Sequence, residues 1–196
     1  MASWKDLPGP RAIGTAITHA VDAATAGDPD AYDTATAEVA ALPNPPAGIV
    51  LAAIIRTLLE EQHPDGLDSD DIQAVLARCY ATTATWLPVA RVDIPTLVAV
   101  LASTLGIHEP GVTYQDITAP TRATGDTWRD PDTATSIGTN PDPDAQVPYR
   151  VPAYPEYAWH APLLLADLVS NSRHRLPHYL DAVFTDLARE QSMEHP

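Results

Sequence analysis

The sequence predicts an all-α protein of about seven helices, packed as a bundle or a stack of helical hairpins. Three observations lead there. Apolar residues recur at i, i+3, i+4 and i+7 through most of the chain, which is the spacing of one helix face and not the alternation of a strand. Proline, aspartate and glycine punctuate these runs where helices start and stop. The one long stretch without periodicity, 108–155, is rich in proline, threonine and aspartate and contributes no βαβ unit.

In the first run, Ile13, Ala16, Ile17, Ala20, Val21 and Ala24 share a face across residues 10–26, and Gly27 ends it. Asp28 then offers an N-cap and Pro29 a first helical residue, opening a helix that carries Tyr32, Ala35, Val39 and Leu42 and stops before Pro43. Pro45 and Pro46 open a third helix over 46–62. Its apolar residues, Ile49 to Leu51, Ile54, Ile55, Leu58 and Leu59, cover most of the circumference, so it is expected at the centre of the bundle. Asp68, Asp70 and Asp71 suit the positive N-terminal end of a fourth helix. Its stripe runs through Ile72, Val75, Leu76, Cys79, Tyr80 and Thr83 to Trp86 and Leu87, and Pro88 ends it. The fifth starts at Asp93-Ile94-Pro95, faces inward with Leu97, Val98, Leu101 and Leu105, and ends at Gly106. After the long connection come a helix over 156–172, entered through Pro162, and a last one opened by Pro177 with Leu180, Val183, Phe184 and Leu187 inward.

A chain of 196 residues suffices for one domain with a sizeable core. It divides into a five-helix part (1–107), a strap (108–155) and two C-terminal helices (156–196). A connection of that length inside a compact domain is either functional or disordered. Here the aromatic residues at its end supply anchors, so an ordered strap is expected, laid on its own domain or on a second copy of the chain. The alanine-rich pair over 10–42 lacks the large aromatics and fixed period of a tetratricopeptide array, so no internal repeat is inferred.

The formal net charge is −15, spread evenly: residues 1–112 carry five basic and fourteen acidic side chains, residues 113–196 six and twelve. Such a field repels nucleic acid and anionic lipid and favours a basic partner. No apolar run approaches the ~20 residues of a membrane span. The start, Met1 to Pro8, has no apolar signal core, and Cys79 is the single cysteine; both suit a cytoplasmic protein with a buried, inert thiol. One lysine against ten arginines, amid abundant alanine, suits a GC-rich bacterial genome.

The segment 147–160 carries the clearest candidate surface. Twelve residues of the chain are aromatic, and Tyr149, Tyr154, Tyr157 and Trp159 fall within eleven positions stiffened by prolines. With Arg150 and His160 they form a candidate recognition surface for a ligand or partner; the competing reading has the rings sealing the end of the bundle. Glu156, His160 and Asp167 fall on one helix face, a spacing that suits a metal ligand pair or an imidazole held for proton transfer, given a third group from elsewhere. Equally, Glu156 suits the N-terminal dipole of its helix. Arg173, His174, Arg175 and His178 are the only local cationic cluster and a candidate anion site at the start of the last helix, although the turn between the two histidines does not require them to share a face. The acidic run 65–71 fits no EF-hand register and reads as helix capping. No nucleophile elbow, zincin, P-loop or dinucleotide motif occurs.

The expectation is therefore a non-catalytic interaction module, an adaptor or an immunity- or antitoxin-like inhibitor of a basic protein, with another protein or itself as partner and self-association through 108–155. No cofactor, resident metal, catalytic residue, nucleic acid or membrane is expected. The alternative is a small-molecule-binding protein or enzyme with its site between 147–160 and the last two helices.

Overall fold

A computed structural model describes residues 9–106 and 152–193. The expected ordered strap, and with it Tyr149 and Arg150, lies outside the described residues. Within them the chain forms seven α-helices and no strand: α1 (Pro10–Ala26), α2 (Pro29–Ala41), α3 (Pro46–Gln62), α4 (Ser69–Thr83), α5 (Ile94–Thr104), α6 (Tyr154–Ser170) and α7 (Leu176–Met193), with a 3-10 turn at Val89–Arg91.

Local chemistry sets the ends. Asp28 accepts hydrogen bonds from the backbone N–H groups of Asp30 and Ala31, at 3.1 and 3.0 Å. Asp68 does the same for Asp70 and Asp71, both at 2.8 Å, while the Asp71 carboxylate accepts from the Asp68 N–H at 3.2 Å to complete a capping box. The acidic run before α4 is thus spent on its own helix end. Asp93 caps α5 through the Thr96 N–H at 3.0 Å. Gly27 ends α1 at φ 67°, and a Cβ there would come within 3.4 Å of the Trp86 side chain. Gly27→Ala is therefore expected to destabilise by about 1 kcal/mol, read by urea unfolding, because a side chain at this left-handed φ is strained even though the Cβ would make only an ordinary contact.

Two helices depart from the sequence expectation at their boundaries, and α6 also ends two residues early, at Ser170. α4 ends at Thr83 and not at Pro88: Trp86 and Leu87 follow in turns, held by hydrogen bonds to the Thr83 carbonyl. α6 begins two residues early, at Tyr154, because Pro155 falls in the first turn, where a missing N–H costs nothing. It continues through Pro162, which removes the bond that would have reached the Ala158 carbonyl.

The centre also differs. α6, not α3, is the hub, packing against α1, α2, α3, α4 and α5. Residues 161–168 are buried without a break, so this stretch has no solvent face. α3 contributes Leu51, Ile54, Ile55 and Leu58, each fully buried, against α6 and α7, and keeps Ile49 exposed. α1 and α2 form an antiparallel hairpin across the tight Gly27-Asp28 turn, and most later helices meet α6 more than they meet their neighbours in sequence. The fold is a bundle organised around α6. Among the described residues no single helix is long and apolar enough to cross a membrane.

Candidate functional site

The described part of the aromatic segment is built into the bundle. Tyr154 opens α6 half-buried, and its hydroxyl donates to the Val39 carbonyl at 3.0 Å, a second bond to an end carbonyl of α2 that also accepts from the Leu42 N–H. Burial pushes this phenol up to about 12. Tyr157 packs against the core. The Trp159 carbonyl accepts from the Tyr32 hydroxyl, and its ring meets Tyr32 edge-on at 5.5 Å. Outside, Arg91 sits 5.3 Å from the centre of the Trp159 ring and grips Asp33 with both nitrogens, at 3.0 and 2.6 Å. The Trp159 indole N–H reaches the same carboxylate at 3.4 Å. Arg91 holds the Asp33 carboxyl below its ordinary range. This cluster pins the 3-10 turn onto α2 and α6.

His160 is 7% exposed. Its Nδ1 lies 2.8 Å from the Glu156 carbonyl and its Nε2 accepts from the Asp93 N–H at 3.4 Å, an assignment fixed by the partners: a neutral ring with the proton on Nδ1. The Glu156 carboxylate turns away to accept from the Ala153 N–H at 3.2 Å. Asp167 is taken by Arg78. Helical spacing thus puts Glu156, His160 and Asp167 on related faces, but each side chain is claimed by a different neighbour and the triad does not assemble.

Burial depresses the His160 pKa below its ordinary value. The unfolded chain then binds a proton near pH 6.5 that the folded chain resists, so the stability tied to this residue is complete above that range and is lost as pH falls through it. Compared with His160→Gln, the native protein is expected to lose extra stability between pH 7.5 and 5, at most about 1.4 kcal/mol per pH unit. Parallel urea titrations of both proteins check it; identical slopes refute it.

The cationic cluster is exposed. Arg173, His174, Arg175 and His178 surround the start of α7, and the two imidazoles do meet, ring centres 4.2 Å apart and tilted by 35°. They meet because the Ser172 hydroxyl donates to the His174 carbonyl at 2.7 Å, folding the preceding turn back over the first turn of α7. Tyr179, beside them, donates to Glu61 at 2.6 Å and ties α7 to α3. Among the described residues no group of three or more histidine, cysteine, aspartate or glutamate side chains is placed to hold a metal ion.

Among the concavities of the described residues, two were not singled out by the sequence and bear on function. One is an open groove of about 630 Å³ between α1 and α2. Its floor is Ala23, Ala26, Ala31 and Ala35, and its rim is Asp22, Asp28, Asp30 and Glu38. His19 stands 3.4 Å from Glu38. The small floor residues let the helices approach closely while the carboxylates stay in water. The other is a half-enclosed cleft of about 570 Å³ where α1, α4 and α6 end, with the Arg78–Asp167 pair, Cys79 and Trp86 in its wall. Cys79 is a buried thiol pushed up to about 12, chiefly by burial and then by Asp167, which disfavours its thiolate form. The four carboxylates at 22, 28, 30 and 38, read with the alanines between them, are the signal that would have located the groove. The cleft joins segments 51 or more positions apart and left no such signal.

Fold and concavities together define an acidic all-α bundle with an anionic groove and a polar cleft. Comparison with protein-family models, characterised proteins and solved structures finds no match to this chain.

Proposed function

We propose that this protein is a non-catalytic interaction module that receives a basic partner protein along the α1–α2 groove, as an adaptor or an immunity- or antitoxin-like inhibitor. The groove carries the reading: four exposed carboxylates ring a floor of alanines, and among the described residues a histidine is the only basic side chain lining it. Lysine or arginine side chains of a partner would bury their aliphatic stems on the alanines and place their charges among the carboxylates. The net charge of −15 supports fast, salt-sensitive association with such a surface. The commitment of His160, Asp167 and Cys79 to packing and pairing also favours binding over acid–base or nucleophilic chemistry at those residues.

The test is a titration of isotopically labelled protein with a hexalysine peptide, followed amide by amide. Saturable shifts are expected along Ala23, Ala31 and Ala35, weakened about tenfold in Asp22→Asn/Asp30→Asn/Glu38→Gln, whose exposed side chains the fold does not need. Shifts scattered over the whole surface, with equal affinity in the triple variant, would overturn the assignment.

A further inference from the structure

We propose that the cleft at the ends of α1, α4 and α6 binds a small organic cation, a primary ammonium group on a short aliphatic chain. The inference stands on the lining of the cleft and does not rest on the groove reading.

Three helices present their C-terminal turns to this space: α1 through Thr25 to Gly27, α4 through Thr82 and Thr83, and α6 through Ser170 and Asn171. Each such end carries about half a negative charge. Three of the lining hydroxyls have spent their protons within the helices and turns. Thr25 donates to the Val21 carbonyl at 2.8 Å, Thr85 to Thr82 at 2.7 Å and Ser170 to Ala166 at 2.7 Å. Asn171 donates its amide to the Asp167 carbonyl at 2.8 Å. Those hydroxyls keep their oxygen lone pairs, while the donors left in the lining include the second Asn171 amide proton and the Arg78 guanidinium.

Asp167 completes the argument. Its side chain is 5% exposed, and among the described residues its hydrogen-bond donor is Arg78. Arg78 does not grip it as a fork. A single Nε–H is shared between the two oxygens, at 3.1 and 2.9 Å. Nη2, itself buried, lies 2.9 Å from Oδ2 but is not aligned to bond. A carboxylate accepts about four hydrogen bonds, so this one retains acceptor capacity in the cleft wall. A ligand with three N–H donors and a positive charge matches the carboxylate, the hydroxyl oxygens and the helix ends at once. Trp86 supplies an aromatic wall suited to a cation and its methylenes. An anion could meet Arg78, but would face Asp167 and the three helix ends with the wrong sign.

The experiment titrates labelled protein with 1,4-diaminobutane, with erythritol as a neutral polyol of similar length, and with the blocked lysine Nα-acetyl-lysine methylamide. Saturable shifts are expected at the Gly27, Thr83 and Asn171 amides with diaminobutane, about tenfold weaker with erythritol, and absent at Ala31 and Ala35 in the groove. Blocked lysine matching the diamine would keep the site and assign its ligand to a lysine side chain; weaker binding would assign it to a free amine. Arg78→Gln carries the sign of the proposal. Removing the competing guanidinium is expected to tighten the diamine several-fold, whereas a polyol or anion site would lose affinity. Ser170→Ala, at an exposed position, serves as a second variant that folds regardless and is expected to weaken diamine binding about threefold. Equal binding of erythritol and diamine, loss of diamine binding in folded Arg78→Gln, or no effect of Ser170→Ala would each overturn the proposal.

Discussion

Replacing Tyr32 by alanine is expected to remove about 4 kcal/mol of unfolding free energy, enough to lower the melting temperature by roughly 10 °C in a domain of this size. The side chain is fully buried, and its ring stands edge-on between Trp86 at 5.4 Å and Trp159 at 5.5 Å, so truncation would leave a cavity between two indoles. Burial also holds the phenol well above its ordinary pKa, keeping it a neutral donor to the Trp159 carbonyl. Tyr32→Phe separates the two contributions. It keeps both aromatic contacts, loses one hydrogen bond, and is expected to cost about 1 kcal/mol. Urea unfolding of both variants checks the pair of values; equal losses would show that the hydroxyl, and not the ring, holds α2 to α6.

The second large effect comes from breaking the Arg78–Asp167 pair on one side only. Arg78→Met leaves a buried carboxylate without its cation and is expected to destabilise by about 3 kcal/mol. Arg78→Met with Asp167→Leu removes both charges and is expected to recover most of that loss, since the pair repays little more than the desolvation of its own members. Chemical denaturation of the single and double variants decides it. A double variant as unstable as the single would mean that the pair fixes the α4–α6 geometry through its hydrogen bonds and not merely through charge balance.

Much of the fold was legible in the sequence because helix ends are local events. Asp28, Asp68 and Asp93 cap helices whose N–H groups lie two or three residues away, and Gly27 ends α1 through its own backbone conformation. The burial of Cys79 followed from the apolar stripe around it. The misplaced end of α4 has a different origin. Trp86 continues the helical stripe, yet it leaves the helix to pack against Tyr32 and Gly27, and no local pattern distinguishes the two outcomes.

The candidate surface was legible only as composition. Tyr154, Tyr157, Trp159 and His160 stand out in the sequence, but the neighbours Val39, Asp33, Arg91 and Asp93 that hold Tyr154, Trp159 and His160 come from other helices and turns. The meeting of His174 with His178 was equally hidden, because it depends on how one turn folds back.

The sequence by itself determined that this is an all-α chain, where most of its helices begin, and that its surface is strongly acidic, since each of these follows from periodicity, capping or a count of charges. Only the tertiary structure decided that α6 is the hub, that Asp167 pairs with Arg78 from 89 residues away, and that three helix ends open onto one cleft. An apolar stripe states that a helix face must be covered. Which face covers it depends on the packing of side chains distant in sequence, and that information exists only once the chain has folded.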